Sequence, residues 1–361
     1  MSQRKYARRD IGTFDLYTRK NYEKFQDFNE PLLLDHNENW LIDAEWQREL
    51  LKKVLESLDI RRYPAPYSLE LTRTLSNFLH VKEEKILVGN GLDDVIDILT
   101  RTFIEKGDEV ITHVPTFGHY KTTTMLAGGK FVPVLLKESF DLDVEEMLAA
   151  VDEKTKLIFL CSPNNPTGNQ FKKSDVEALL QESGKIVVVD EAYVDFAKDT
   201  VLDLIKKYQN LIVLRSFSKS FGFAGLRLGF SVANEEFTAY MKKIQHPYSV
   251  GIFSQAAVEE FLKHWDYVEN AVARSNEERE KLYSELSEIN GVKPYPSDAN
   301  FLLTRFETID KNIANERFVK QGIFVKDLQK QPLCENCLRI SVGTPSMNRR
   351  LIATLRLIIK D

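Results

Sequence analysis

The residues best equipped for chemistry lie in one stretch, "RSFSKSFGFAGLRLGF" at 215–230. A single lysine, Lys219, stands there beside Ser216 and Ser218, and Arg227 comes eight positions on. Two hydroxyls and a guanidinium fork are suited to gripping a phosphate, and small neighbours let a flat ligand come close to the backbone. A second anion grip is written at 89–94, "GNGLDD", where a glycine turn opens a helical pattern and aims backbone N–H groups at one spot. Asp190 ends the apolar run "VVVD", and an acid in that position needs donors or a cation. A phosphate, an amine and a carboxylate facing a positive charge together describe pyridoxal 5'-phosphate. Its aldehyde condenses with lysine, its phosphate needs an anion cup, and its ring nitrogen withdraws electrons while an acid keeps it protonated.

Such residues must be brought together by the elements that carry them. The segments 85–89, 108–115, 130–136, 156–161, 185–192 and 210–217 are short, β-branched apolar runs of the kind that form strands buried on both faces. Helical patterns separate most of them, as in "SDVEALLQES" at 174–183, where serine or aspartate is placed to cap. This alternation predicts an α/β fold with a mostly parallel sheet flanked by helices. In open sheets of this kind ligands collect beyond the carboxyl ends of the strands. The residues there are "SPNNPTG", "DEAY", "SFSK" and "NGLDD", and three of these ends recur at the spacing of βαβ units.

With 361 residues the chain exceeds a single ordinary core, and 43% apolar with 29% charged residues describes a soluble globular protein. A net charge of -5 with interspersed signs leaves no nucleic-acid footprint. No run is long and apolar enough for a membrane helix, and "MSQRKYARRD" leads into no apolar segment, so a cytoplasmic protein is expected. Three cysteines suit a reducing compartment. Cys334 and Cys337 form one C-x-x-C without a second pair, and the six histidines lack metal-binding spacing, so no metal is expected. Residues 1–44 read as an N-terminal arm and the start of a small domain, the first 40 of them loop-like and suited to lie on another subunit. Residues 45–250 read as the large domain and 251–361, with long charged helices and the runs "NFLLTRF" and "CLRISV", as a small α+β domain.

Ten ordered motifs carry a resemblance over nearly the whole chain: "LDHNEN", "RRYP", "GNGLDD", "PTFGHY", "SPNNPTG", "VVVDEAYVDF", "SFSKSFGFAGLRLGF", "PSDANFLL", "GIFVKD" and "LRISVGT". Together they resemble the class II aminotransferases of pyridoxal-phosphate fold type I, and within them most of all the histidinol-phosphate aminotransferase group. The resemblance implies transamination between an amino donor and a 2-oxo acid. Histidinol phosphate and 2-oxoglutarate lead, and aromatic amino-acid transamination or a phosphothreonine-type decarboxylation are the rivals. It implies that Lys219 joins the cofactor and moves protons, that Asp190 pairs with the ring nitrogen, and that Asn165 and Tyr193 bond the phenolic oxygen. Phe117 would lie on the ring face. Ser216, Ser218, Arg227 and the amides of Leu92 and Asp93 would hold the phosphate, and Tyr63 would reach a neighbouring subunit's cofactor, which requires a homodimer. Arg339, with Asn37 and Lys326, would face the substrate. Lys326 stands where an arginine is usual, Phe117 replaces a tyrosine, and Leu92, Asp94, His36 and Trp40 also depart from the common pattern.

Overall fold

The computed structural model describes residues 6–7, 11–14, 23–328 and 331–360. In chain order its strands are β1 (Leu32–Leu34), β2 (Ile86–Gly89), β3 (Glu109–Val114), β4 (Lys130–Leu135), β5 (Thr155–Cys161) and β6 (Ile186–Asp190). They continue with β7 (Leu211–Ser216), β8 (Gly229–Val232), β9 (Val292–Pro294), β10 (Phe301–Phe306), β11 (Ile323–Asp327) and β12 (Cys337–Ser341). All six runs read from the sequence are strands, shifted by a residue or two at their ends. They lie in one seven-stranded sheet of order β2-β8-β7-β6-β5-β3-β4. Pairing is parallel from β7 through β4, and β8 runs antiparallel to both of its neighbours, so the sheet is mixed.

Alternation along β6 and β7 divides their side chains between two cores. Val187, Val189, Leu211 and Val213 meet Val176 and Leu179 of the helix Lys173–Glu182, while Val188, Ile212 and Leu214 meet Val95, Ile96 and Leu99 of the helix Leu92–Phe103. Each such burial contributes about 1.5–3 kcal/mol, so the sheet centre is rigid and its strand ends are fixed in space.

Two details differ from the sequence reading. The helix Lys173–Glu182 is preceded by Lys172 and has no side-chain cap; Ser174 and Asp175 lie inside its first turn, where they cannot serve as its cap. The segment "GFSV" forms β8, although its apolar pattern is too weak to mark a strand. Its glycine is needed because a Cβ at Gly229 would lie 2.7 Å from the amide of Leu92, where the strand passes the start of a helix.

The second sheet has order β1-β11-β12-β10-β9, with β1 parallel to β11 and the other pairs antiparallel. The helices Ile252–Leu262 and Trp265–Ser287 match the charged helical texture after residue 251. Within the segment expected to be loop-like, residues 32–34 instead form β1, with Leu32 and Leu34 buried. Much of the expected surface arm lies outside the described residues. Of the part that is described, Phe25 and Phe28 pack edge-on against Phe324 of β11.

Candidate active site

Asp190 is the last residue of β6 and is buried. Its Oδ2 accepts a 2.6 Å hydrogen bond from the hydroxyl of Tyr120, and its Oδ1 accepts from the amide of Ala192 at 2.9 Å. Burial pushes its pKa up to about 6 against the pull of the Tyr120 hydroxyl. Among the described residues no lysine, arginine or histidine forms an ion pair with it. The acid is thus desolvated and held in place, ready to face a cation. Tyr120, fully buried and stacked on Phe159 with centroids 4.8 Å apart, is a site residue that sequence reasoning does not single out. The one available signal is a second aromatic three residues after Phe117, on the helix His119–Ala127 that comes after β3.

Lys219 lies just past β7. Its Nζ donates to the carbonyl of His36 at 2.9 Å and stands 5.6 Å from the centroid of the Tyr193 ring. Burial, and after it the positive charge of Arg339, lowers its pKa to about 8, so a neutral amine is within reach near neutral pH.

A polar lattice joins this floor to the second sheet. Arg339 of β12 donates from Nη1 to Asn165 Oδ1 at 2.5 Å and from Nη2 to the carbonyl of Asp35 at 2.6 Å, and its guanidinium lies 5.2 Å over Phe301. Asn37 donates from Nδ2 to the Tyr193 hydroxyl at 3.0 Å and accepts from Ser341 at 3.1 Å on Oδ1. The Tyr193 phenol is pushed up to about 12, chiefly by burial, and remains protonated. Lys219, Tyr193, Asn37, Asn165 and Arg339 therefore meet in one place.

Beside them is a cup for an anion. The helix Leu92–Phe103 begins at Gly91, whose φ of 87° suits glycine, and no side chain caps its first amides. A Cβ at Gly91 would lie 2.6 Å from Arg227 Nη2, so only glycine leaves this space open. Arg227 meets Asp93 at 3.3 Å, and Ser216 Oγ accepts from the amide of Ser218 at 3.1 Å. Free helix amides, hydroxyls and a half-exposed guanidinium match a phosphate, while Lys219 and the desolvated Asp190 match an aldehyde and a ring nitrogen. The residues present fit pyridoxal phosphate.

A family model, aminotransferase class I and II, matches residues 28–355. The chain belongs to that family. This aminotransferase is 38% identical to a curated protein named histidinol-phosphate aminotransferase from Flavobacterium johnsoniae, with 96% of this chain and all of the relative covered. Its fold matches the crystal structure of a histidinol-phosphate aminotransferase from Sinorhizobium meliloti in complex with pyridoxal-5'-phosphate. The TM-score is 0.88 at 24% identity, over 97% of this chain and 96% of that one. An L-threonine-O-3-phosphate decarboxylase from Porphyromonas gingivalis has the same fold, with a TM-score of 0.81 at 23% identity, covering 91% of this chain and all of that one. The expected α/β architecture of fold type I and the expected pyridoxal-phosphate-dependent aminotransferase are therefore both found.

Two of the residues expected in the site of this aminotransferase stand apart from its polar lattice. Phe117 is half-buried, its ring edge-on to Tyr120 at 5.7 Å. Tyr63 is 82% exposed and lies 5.0 Å from the Tyr248 ring. Lys326 sits on β11 directly opposite Arg339 in the strand register. Cys334 and Cys337 are buried free thiols packed into the core.

Proposed function

We propose that this aminotransferase moves the amino group of L-histidinol phosphate to 2-oxoglutarate, giving imidazole-acetol phosphate and L-glutamate in histidine biosynthesis. The observation that carries the reading is a buried arginine fork, Arg339, hydrogen-bonded to Asn165 and lowering the proton affinity of Lys219. Such a fork suits the phosphate of one substrate and the carboxylate of the other. The name of the Flavobacterium relative supports the choice of donor. Cytoplasmic work is consistent with three unpaired, buried cysteines.

Pyridoxal phosphate supplies, when bound, the electron sink through which an amino group is exchanged for a carbonyl oxygen. Lys219 supplies the amine that anchors it and, once freed, moves a proton to and from the carbon bearing the donor's nitrogen. Asp190, oriented by Tyr120, would hold the proton on the ring nitrogen. Asn165 and Tyr193 would steady the phenolic oxygen, and Phe117 would pack against the ring. The amides of Leu92 and Asp93 would hold the phosphate with Ser216, Ser218 and Arg227. Asn37 and Lys326 assist Arg339 at the substrate. Tyr63, with its ring in solvent, fits a role in a second subunit's site, and the working unit is a homodimer.

Titrating the holoenzyme with candidate donors and monitoring its absorbance tests the reading. Histidinol phosphate and glutamate should each discharge the cofactor band, and phenylalanine and tyrosine should leave it. Preference for the aromatic donors would make the protein an aromatic aminotransferase. Release of carbon dioxide from phosphothreonine with no acceptor acid would make it a decarboxylase.

A further inference from the structure

Lys219 and Asp190 each precede a buried polar residue, Ser220 and Glu191, and both of these enter a single network on the side of the strands away from the pocket. Alternation requires this: Asp190, Leu214 and Ser216 share one face of β6 and β7, so Arg215 points to the other. There Arg215 donates from Nε to Glu191 Oε2 at 2.9 Å, and its Nη2 lies 2.8 Å from the same oxygen. Glu191 is 2% exposed and also accepts from the amide of Val201 at 2.7 Å and from Thr200 Oγ1. Arg215 Nη1 lies 3.7 Å from Asp195 Oδ1, and the other oxygen of Asp195 accepts the hydroxyl of Ser220. The carbonyl of Ser220 in turn accepts from Asn39 Nδ2 at 2.8 Å. Within the network two acids share one arginine, and Glu191 is too deeply buried to be left without that partner.

We propose that Ser220, through Asp195, Arg215 and Glu191, is the positioning device that fixes Lys219 relative to Asp190. The two residues lie in different strand-end segments, yet one chain of hydrogen bonds and a charge pair, Arg215 with Asp195, runs Asp190–Glu191···Arg215···Asp195···Ser220–Lys219. Lys219, three residues past β7, opens a turn closed by the amide of Gly222 on the lysine's carbonyl at 3.2 Å. Without the bond from Ser220 to Asp195, that turn keeps its backbone closure and the pairing of β7 with β6, and loses its side-chain tether to the strand end carrying Asp190. The tether does not touch the helix-and-arginine side of the anion cup, Gly91, Leu92 and Arg227, whereas Ser216 and Ser218 of that cup lie on the same segment as Lys219. The inference rests on the reading of Lys219 as the cofactor's amine.

The test uses the full chain stripped of cofactor, with pyridoxal phosphate added back and its condensation with Lys219, with loss of water, monitored by absorbance at one pH. Ser220→Ala should slow condensation about ten- to a hundredfold, the cost of a small misplacement of a reacting group. Inhibition of condensation by inorganic phosphate should change by no more than about twofold, because the helix amides and Arg227 of the cup keep their places. Ser220→Thr, which keeps the hydroxyl, should restore the rate, and Asp195→Asn, which keeps the shape, should reproduce the slow rate if the alanine variant fails to fold. Amide hydrogen exchange at 218–222 should quicken in the slow variants. Condensation as fast in Ser220→Ala and Asp195→Asn as in the parent overturns the proposal, as does a loss of phosphate inhibition of the same size as the loss of rate. No adduct on Lys219 of the parent after borohydride would instead overturn the proposed function.

Discussion

In the seven-stranded sheet the site residues stay close to their strands: Asp190 ends β6, Ser216 ends β7, and Lys219 comes three residues later. In the five-stranded sheet the arrangement differs. Arg339 sits in the middle of β12, between Leu338 and Ile340, which face the core, and it reaches across to the carbonyl of Asp35, 304 residues away. The first half is assembled by a local rule, that parallel strands present the residues just beyond their carboxyl ends at one edge. The second half depends on which face of a strand turns toward the pocket and on a short parallel strand, β1, that delivers Asp35 and Asn37. In the proposed function, cofactor chemistry belongs to the first rim and recognition of the exchanged partner to the second.

Replacing Lys219 with alanine strikes the first rim hardest and should cut turnover about 10⁴-fold or more, as removal of an anchoring and proton-moving group does. Full turnover in that variant, measured with any donor, would end the distinction between the rims. Replacing Arg339 with methionine tests the second. The fall in kcat/KM should be about a hundredfold for the phosphorylated donor and for glutamate alike. Because the guanidinium lowers the proton affinity of Lys219, its loss should also move the pH midpoint of condensation upward from about 8. A midpoint that stays put or falls would separate the two rims electrostatically.

Tyr120→Phe returns to the first rim with a smaller effect. The hydroxyl lowers the pKa of Asp190 against burial, so without it that pKa climbs beyond about 6 and the acid is charged only at higher pH. Turnover should fall about tenfold near neutrality and recover in part as pH rises, and the melting temperature should drop by the equivalent of about 1–2 kcal/mol for one lost buried bond. A flat pH response would show Tyr120 to be packing alone. The smallest change is Lys326→Arg, which restores a fork beside Arg339. It should shift KM for the phosphorylated donor about two- to fivefold and leave kcat nearly unchanged. A change in kcat without one in KM would place residue 326 on the cofactor's side.

Most of the first rim is readable along the chain. The apolar runs mark the strands, the residues after them are polar where a core would not tolerate it, and glycines mark the anion cup. Tyr120 is hidden because a buried aromatic on a helix resembles core until its hydroxyl is seen on Asp190. β8 is hidden because glycine and serine weaken its pattern, and the reason for its glycine is a helix amide far away in sequence. The strand status of residues 32–34 is hidden too, since three leucines carry no period.

Composition, strand periodicity and the types of residue at strand ends determined, from the sequence alone, an α/β enzyme with a lysine, an acid and a phosphate cup. The tertiary structure decided which side chains share a volume. Arg339 touches Asn165 and Tyr193 meets Asn37 only after two sheets close on one another, and Ser220 ties to Asp195 only once β6 and β7 pair. The physical reason is range. Strand and helix preferences act over a few residues, whereas the pKa of Lys219 and the place of Asp190 are set by burial and by charges that folding alone brings within a few ångströms.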